Sequence, residues 1–151
     1  MTVAAGPGRF AGHRGQGLVE FAVVAFLTVI MLLFIVEIGR MVLVSTTVAN
    51  AAREGVRYAV VHGSSRAVGI TVDSASGPAN NPAQVVQAVK NFASAGPLTI
   101  SLLIINVTYE GASNDPGQYV NVTVVYPYDP LTTYFSQTLR LGSAARGIIV
   151  Y

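Results

Sequence analysis

The sequence contains no cysteine, and only 11% of its 151 residues are charged. Without cysteine, neither a disulfide framework nor a thiolate metal site can form, and nothing about the redox compartment can be read from the chain. Charge is not only sparse but balanced. The formal net charge of +2 belongs to Arg9 and Arg14. From Gln16 onward, Arg40, Arg53, Arg57, Arg66, Lys90, Arg140 and Arg146 offset Glu20, Glu37, Glu54, Asp73, Glu110, Asp115 and Asp129. The positive excess is a property of the N-terminal head, so a nucleic-acid partner gains no support.

A catalytic constellation is missing as well. His13 lies in the head and His62 at the end of a helical pattern, and neither has a second ligand or a paired nucleophile at a recognisable spacing. Asp73, Asp115 and Asp129 stand alone in Gly/Pro/Asn stretches, where turn-making is the common use, and none fits a calcium-loop pattern. Gly12-His-Arg-Gly-Gln-Gly17 follows no strand, so it is not a phosphate-binding loop. The expectation is a protein that is not an enzyme, with no catalytic residue, no metal and no cofactor. Asn106-Val-Thr and Asn121-Val-Thr fit the glycosylation triplet, but both fall within strand patterns and are discounted.

What the chain does have is apolar length. From Leu18 to Val36 the only charged residue is Glu20, and Phe21 to Val36 is apolar on every face. At about 1.5 Å per residue this run crosses most of a roughly 30 Å hydrocarbon core, and Ile38 to Val44 can complete the span. Arg9 and Arg14 precede it with no acid before them, which places the N-terminus in the cytoplasm and the rest of the chain outside. Glu20 is the anomaly. A carboxylate at the centre of a spanning helix costs about 2.5–3.5 kcal/mol, somewhat less near its end, so its presence calls for a function. Its bland alternative is an interfacial acid favoured by the positive end of the helix dipole, worth about 0.3–1 kcal/mol.

Past the span, Ser45 to Val61 keeps helical periodicity, with Val48, Ala52, Val56, Ala59 and Val60 near one face. The membrane helix is therefore expected to continue to about Val61 and to offer this face to the rest of a small domain. A Gly/Ser/Asn/Pro-rich loop runs from His62 to Pro82. A short helix follows, with Pro82 at its first position and Val85, Val86, Val89 and Phe92 on its apolar side. Leu98–Tyr109 and Gln118–Tyr126 read as strands joined into a hairpin by Gly111–Gly117, and a third strand runs from about Leu139 to Val150. The predicted fold class is α+β, pilin-like: a long N-terminal transmembrane helix continuing into a small extracytoplasmic domain with a short helix and a three-stranded antiparallel sheet. The boundaries expected are a leader over 1–15, a transmembrane and spine helix over 16–61, and the extracytoplasmic domain over 62–151. The leader is Gly-rich and aperiodic, which predicts disorder.

Arg14-Gly-Gln-Gly-Leu-Val-Glu-Phe-Ala22, the helix ending Ile35-Val-Glu-Ile-Gly-Arg40, and Ala49-Asn-Ala-Ala-Arg-Glu-Gly-Val-Arg-Tyr-Ala59 together resemble the TadE-like family of minor pilins, or pseudopilins, of tight-adherence (Flp-type) pilus systems. The resemblance is dense from Arg14 to Gly63 and loose beyond. It implies a type IV prepilin whose leader is removed on the cytoplasmic side by prepilin peptidase, leaving a glutamate fifth in the mature chain. Cutting after Gly15 makes Gln16 the first residue and Glu20 the fifth; cutting after Gly12 or Gly17 would make it eighth or third. The sequence departs from the major pilins of these systems at Phe21, where they usually have Tyr. The resemblance further implies assembly roles for Glu20 and Phe21. The partners it implies are other pilin or pseudopilin subunits, the peptidase, an inner-membrane assembly platform and the bilayer. The location it implies is the inner membrane, with passage to the pilus or cell surface on assembly.

Three other features have two readings each. Glu37 and Arg40, three apart, can pair near the outer interface, or each can snorkel separately to water, the reading favoured here. Gly39 and Gly55 can permit close packing or simply be tolerated in the helix. Arg53, Glu54 and Arg57 read as a solvated face, with contact to another subunit as the less favoured alternative. The alternative for the whole chain is a single-pass anchored or secreted binding domain unrelated to pili. Ala49-Asn50-Ala51 offers an A-x-A cleavage site, but the apolar run to Val44 exceeds the roughly 7–15 residues of a signal core.

Overall fold

The computed structural model describes residues 13–65, 82–111, 113–131 and 138–150. The chain divides into two compact units, Met1–Ile38 and Gly39–Tyr151. The elements are a helix α1 (His13–Val61), a helix α2 (Ala83–Ala93), a 3-10 turn (Ile100–Leu102) and strands β1 (Ile104–Tyr109), β2 (Tyr119–Tyr128) and β3 (Leu139–Ile148). The fold is α+β, as the sequence predicts. Helix α1 starts at His13, so the last three residues of the expected leader are helical. Extending a formed helix by a residue is cheap once the apolar segment has nucleated it. Residues 1–12, and most of the expected loop up to Pro82, lie outside the described residues.

In the first unit, Gly15–Ile38 is exposed almost throughout, with Leu18 72% and Phe21 74% exposed. The one polar hydroxyl there, on Thr28, donates to the Val24 carbonyl at 2.8 Å, which satisfies it within its own helix.

In the second unit, the three strands form an antiparallel sheet in the order β1-β2-β3. Val120, Val122, Val124, Tyr126 and Tyr128 alternate along β2 on its buried face. They meet Val44, Val48, Ala51, Ala52, Val56 and Ala59 of α1, together with Val85, Val89 and Ala93 of α2, in one core. The stripe on α1 recurs at three- and four-residue steps and is built from small and β-branched residues, so the helix can approach the sheet closely. Gly55 marks the closest approach: a Cβ there would stand 2.6 Å from Val89 Cγ2 and 3.0 Å from Val122 Cγ1. At Gly147 of β3 a Cβ would meet Val56 and Val60 at 2.6 and 2.7 Å. Gly39, by contrast, has nothing within 4 Å of its missing Cβ.

Two boundaries differ from the sequence reading. Pro82 is the N-cap of α2 (φ −58°, ψ 130°) rather than its first helical residue, and Phe92 is 40% exposed, so Val85, Val89 and Ala93 carry the buried face. The strand expected from Leu98 begins only at Ile104, after the 3-10 turn. The register explains why. Glu110 N–H donates to Tyr119 O, so the odd-numbered residues of β2 turn their backbone groups toward β1, and the ladder ends at Ile104↔Val125. The next pair in that register would set Leu102 against Pro127, which has no N–H to give. Toward β3 the even-numbered residues do the bonding, so Pro127 is tolerated there and the β2–β3 ladder continues to Tyr128↔Leu139.

Candidate assembly segment on the first helix

Gln16 and Glu20 are four apart in α1, hence stacked on one helix face. Both are exposed, as are Gly15 and Phe21. Among the described residues none hydrogen-bonds or pairs with Glu20, which leaves its carboxylate open on an otherwise apolar surface. Gly15 likewise has nothing within 4 Å of the position its Cβ would take. Gly15 stands in the first turn of α1, and no packing contact requires a glycine there.

Toward the C-terminal part of the apolar segment the environment changes. Glu37 is only 9% exposed and Arg40 is half-buried. The Arg40 guanidinium carbon lies 5.5 Å from the centroid of the Tyr128 ring on β2, within cation–π range. Neither side chain extends freely to solvent, which departs from the snorkelling reading. The periodicity of α1 alone could not have placed the ring of a residue 88 positions away in sequence beside Arg40.

Further along α1, Arg53 Nη1 donates to Asn50 Oδ1 at 3.2 Å, and Arg57 lies 3.7 Å from Glu54 with its side chain 80% exposed. This is the solvated charged face the sequence predicts, and such a pair contributes at most about 1 kcal/mol.

Sequence reasoning missed a fastening at the end of α1. His62 stacks on Tyr58 with ring centroids 3.9 Å apart, and its Nδ1 lies 2.8 Å from the Tyr58 carbonyl. Ser64 then reaches the β1–β2 turn: its N–H donates to Asn114 O, and its hydroxyl donates to Asp115 Oδ1 at 2.5 Å. Ser113 donates to the other carboxylate oxygen at 2.8 Å. The hydrogen bond from Ser64, and then that from Ser113, hold the Asp115 carboxyl below the usual carboxylate range against a small opposing effect of burial. Asn114 is buried beside it, and Gly111 and Gly117 take the positive φ values, 97° and 88°, that the turn needs. The Asn-Asp-Pro-Gly run announces a turn, but nothing local names its partner, Ser64.

Among the described residues no group of three or more His, Cys, Asp or Glu could hold a metal ion. The stretch Gly15–Val61 is long and apolar enough to cross a membrane, and only 6% of its most apolar window is buried, unlike the core helix of a soluble domain. It is a candidate membrane anchor.

No curated protein and no solved structure matches the chain. The family described as TadE-like protein matches residues 15–57. That match begins at the glycine singled out by its spacing to Glu20, covers the apolar segment, and ends within the packed stripe of α1. Over residues 15–57, the apolar segment and much of the packed stripe of α1, the chain is thus similar to the TadE-like protein family.

Proposed function

We propose that the protein is a minor pilin, or pseudopilin: a membrane-inserted subunit or assembly factor of a Tad-type pilus, processed by prepilin peptidase between Gly15 and Gln16. The observation that carries this reading is the open carboxylate of Glu20 on an exposed helix that is apolar from Phe21 to Val36, at the fifth position counted from Gln16. A lone carboxylate in that setting is costly unless a partner compensates it. Cleavage supplies the chemistry. It frees a cationic amine on Gln16, one helical turn from Glu20, and an amine of this kind on a neighbouring subunit can neutralise Glu20 within the bilayer. The spacing to Glu20 singles out Gly15 from its neighbour Gly17, which is equally free of packing contacts, and a small residue at the cut admits the chain to a narrow peptidase cleft. On this reading residues 1–15 stay in the cytoplasm and residues 62–151 lie outside it. The partners are other pilin subunits, the peptidase and the inner-membrane platform.

The test is intact-mass analysis of the protein from cells with an active prepilin peptidase. A mature chain beginning at Gln16, and an unprocessed chain for Gly15→Val, are expected. A wild-type chain that retains residues 1–15 would refute processing, and a start near Arg53 would point to a secreted domain instead.

A further inference from the structure

We propose that the outer edge of β3 is a strand-docking site, and that its occupant is an extended segment of another protein with a carboxylate facing Arg140. The site lies wholly within the Gly39–Tyr151 unit, and it depends neither on the membrane reading of α1 nor on processing of the leader.

The ladder fixes which backbone groups are left over. β3 pairs with β2 residue for residue along its whole length of 10 residues, from Leu139 opposite Tyr128 to Ile148 opposite Tyr119, with no bulge. Ile149 N–H donates to Gln118 O, and bonded residues alternate along an antiparallel pair, so the odd-numbered residues of β3 bond to β2. Arg140, Gly142, Ala144, Arg146 and Ile148 therefore turn their N–H and C=O groups outward, about 6.8 Å from one to the next. Among the described residues no group bonds to this row. It closes only at Val150, whose N–H donates to Val60 O of α1 at 3.0 Å. Donors and acceptors alternating at that spacing are matched by one kind of partner, another extended chain.

Sheets usually shut such an edge with a proline, a bulge, a very short strand or charged side chains. β3 has no proline and no bulge, and its middle, Gly142-Ser-Ala-Ala145, is small. Of its two arginines, Arg146 is drawn back off the edge: its guanidinium carbon lies 3.9 Å from the centroid of the Tyr119 ring and its Nη2 2.7 Å from Glu110. Arg140 is exposed, and among the described residues none pairs with it, Asp129 just past β2 included. The odd-numbered Leu141 and Ala145, on the opposite face, pack half-buried at the flank of the core. An added strand continues both faces, apolar beside Leu141 and Ala145 and acidic beside Arg140. A second copy of β3 does not meet these terms. Two copies paired antiparallel about Ala144 bring Arg140 diagonal to Arg146 of the other copy. Pairing about Ser143 sets Arg140 directly opposite Arg146, and pairing about Ala145 sets the two Arg146 side chains diagonal to each other. Like charges so placed oppose the pairing.

The test is residue-resolved amide hydrogen exchange on the full chain in detergent micelles, with two synthetic peptides as probes. One is acetyl-Thr-Val-Glu-Val-Thr-Val-Glu-Val-Thr-amide, and the other has lysine in place of each glutamate. The amides of Gly142, Ala144 and Arg146 should exchange fast in the chain alone and be protected by the acidic peptide, with the basic peptide binding about tenfold more weakly. Arg140→Glu should reverse that order. Ala144→Pro removes one outward N–H and spares the β2 ladder, because Ala144 and Thr123 are not a bonded pair. It should abolish the protection while the near-UV circular dichroism stays that of the wild type. Should that variant misfold, Arg140→Glu, a change at an exposed side chain, decides alone. Failure of both peptides to protect these amides, equal binding of the two, or an order of binding unmoved by Arg140→Glu would overturn the proposal. Protection without peptide that grows with protein concentration would show that a second copy occupies the edge, and would overturn it too.

Discussion

Two glycines of one helix, Gly39 and Gly55, should respond to the same substitution with opposite sign. Replacing either by alanine in a helix interior gains roughly 0.8–1.0 kcal/mol from propensity alone. At Gly39 nothing lies within 4 Å of the new methyl, so Gly39→Ala should be neutral or stabilising by up to about 1 kcal/mol. At Gly55 the methyl would meet Val89 Cγ2 at 2.6 Å and Val122 Cγ1 at 3.0 Å. Both valines are fully buried and β-branched, so neither can swing aside, and they come from different elements, α2 and β2. Overpacking of this kind costs about 1–3 kcal/mol. With contacts as short as 2.6 Å the upper part of that range, about 2–3 kcal/mol, applies, and subtracting the propensity gain leaves Gly55→Ala destabilised by about 1–2 kcal/mol. Denaturant titration of the detergent-solubilised full chain, followed by pulse proteolysis, reads the difference. The contact can also be isolated. Val89→Ala alone should cost about 2 kcal/mol through lost burial and a cavity, yet in combination with Gly55→Ala the two losses should sum to less than their parts by about 1 kcal/mol, because the added methyl occupies the vacated space. A Gly55→Ala chain as stable as wild type, or strictly additive double-mutant values, would refute the close-approach argument.

If Glu20 pairs with a neighbouring subunit's Gln16 amine as proposed, Glu20→Ala should leave membrane levels unchanged but deplete the protein from co-purified pilus or pilin complexes, because removing one member of a poorly solvated ion pair typically costs about 3–5 kcal/mol. Equal amounts of both proteins in the complexes would sink the mechanism. In spheroplasts, external protease should cut the Gly/Ser/Asn/Pro-rich stretch between Ser64 and Asn81, and digestion only after lysis would overturn the proposed orientation. Asp115 offers a pH test whose sign is fixed. Its folded pKa lies below the usual carboxylate value, so its contribution is present above the unfolded pKa and is lost as pH falls through the folded one. The stability gap between wild type and Asp115→Ala, followed by near-UV circular dichroism, should therefore close on acidification; a gap that does not change with pH would count against the Ser64–Asp115 fastening.

Several features were settled by the sequence because they depend only on local pattern. An apolar run of membrane length, a three- and four-residue stripe from Val48 to Ala59, alternation along Val120–Val124, and turn chemistry between Gly111 and Gly117 each follow from the geometry of a single element. So does the spacing from Gln16 to Glu20, which a helix converts directly into a shared face. Tertiary structure decided whatever depends on register and on partners distant in sequence. Pro127 looks like any residue of a strand until the pairing shows that its missing N–H faces β1 and ends that ladder while sparing β3. Gly39 and Gly55 are indistinguishable in sequence, and only the packing of α2 and β2 against α1 gives one of them a reason to lack a side chain. Arg40 found the ring of Tyr128, and Asp115 found Ser64, across whole intervening helices and strands, a separation whose closure cost grows only slowly with length and which leaves no local signature.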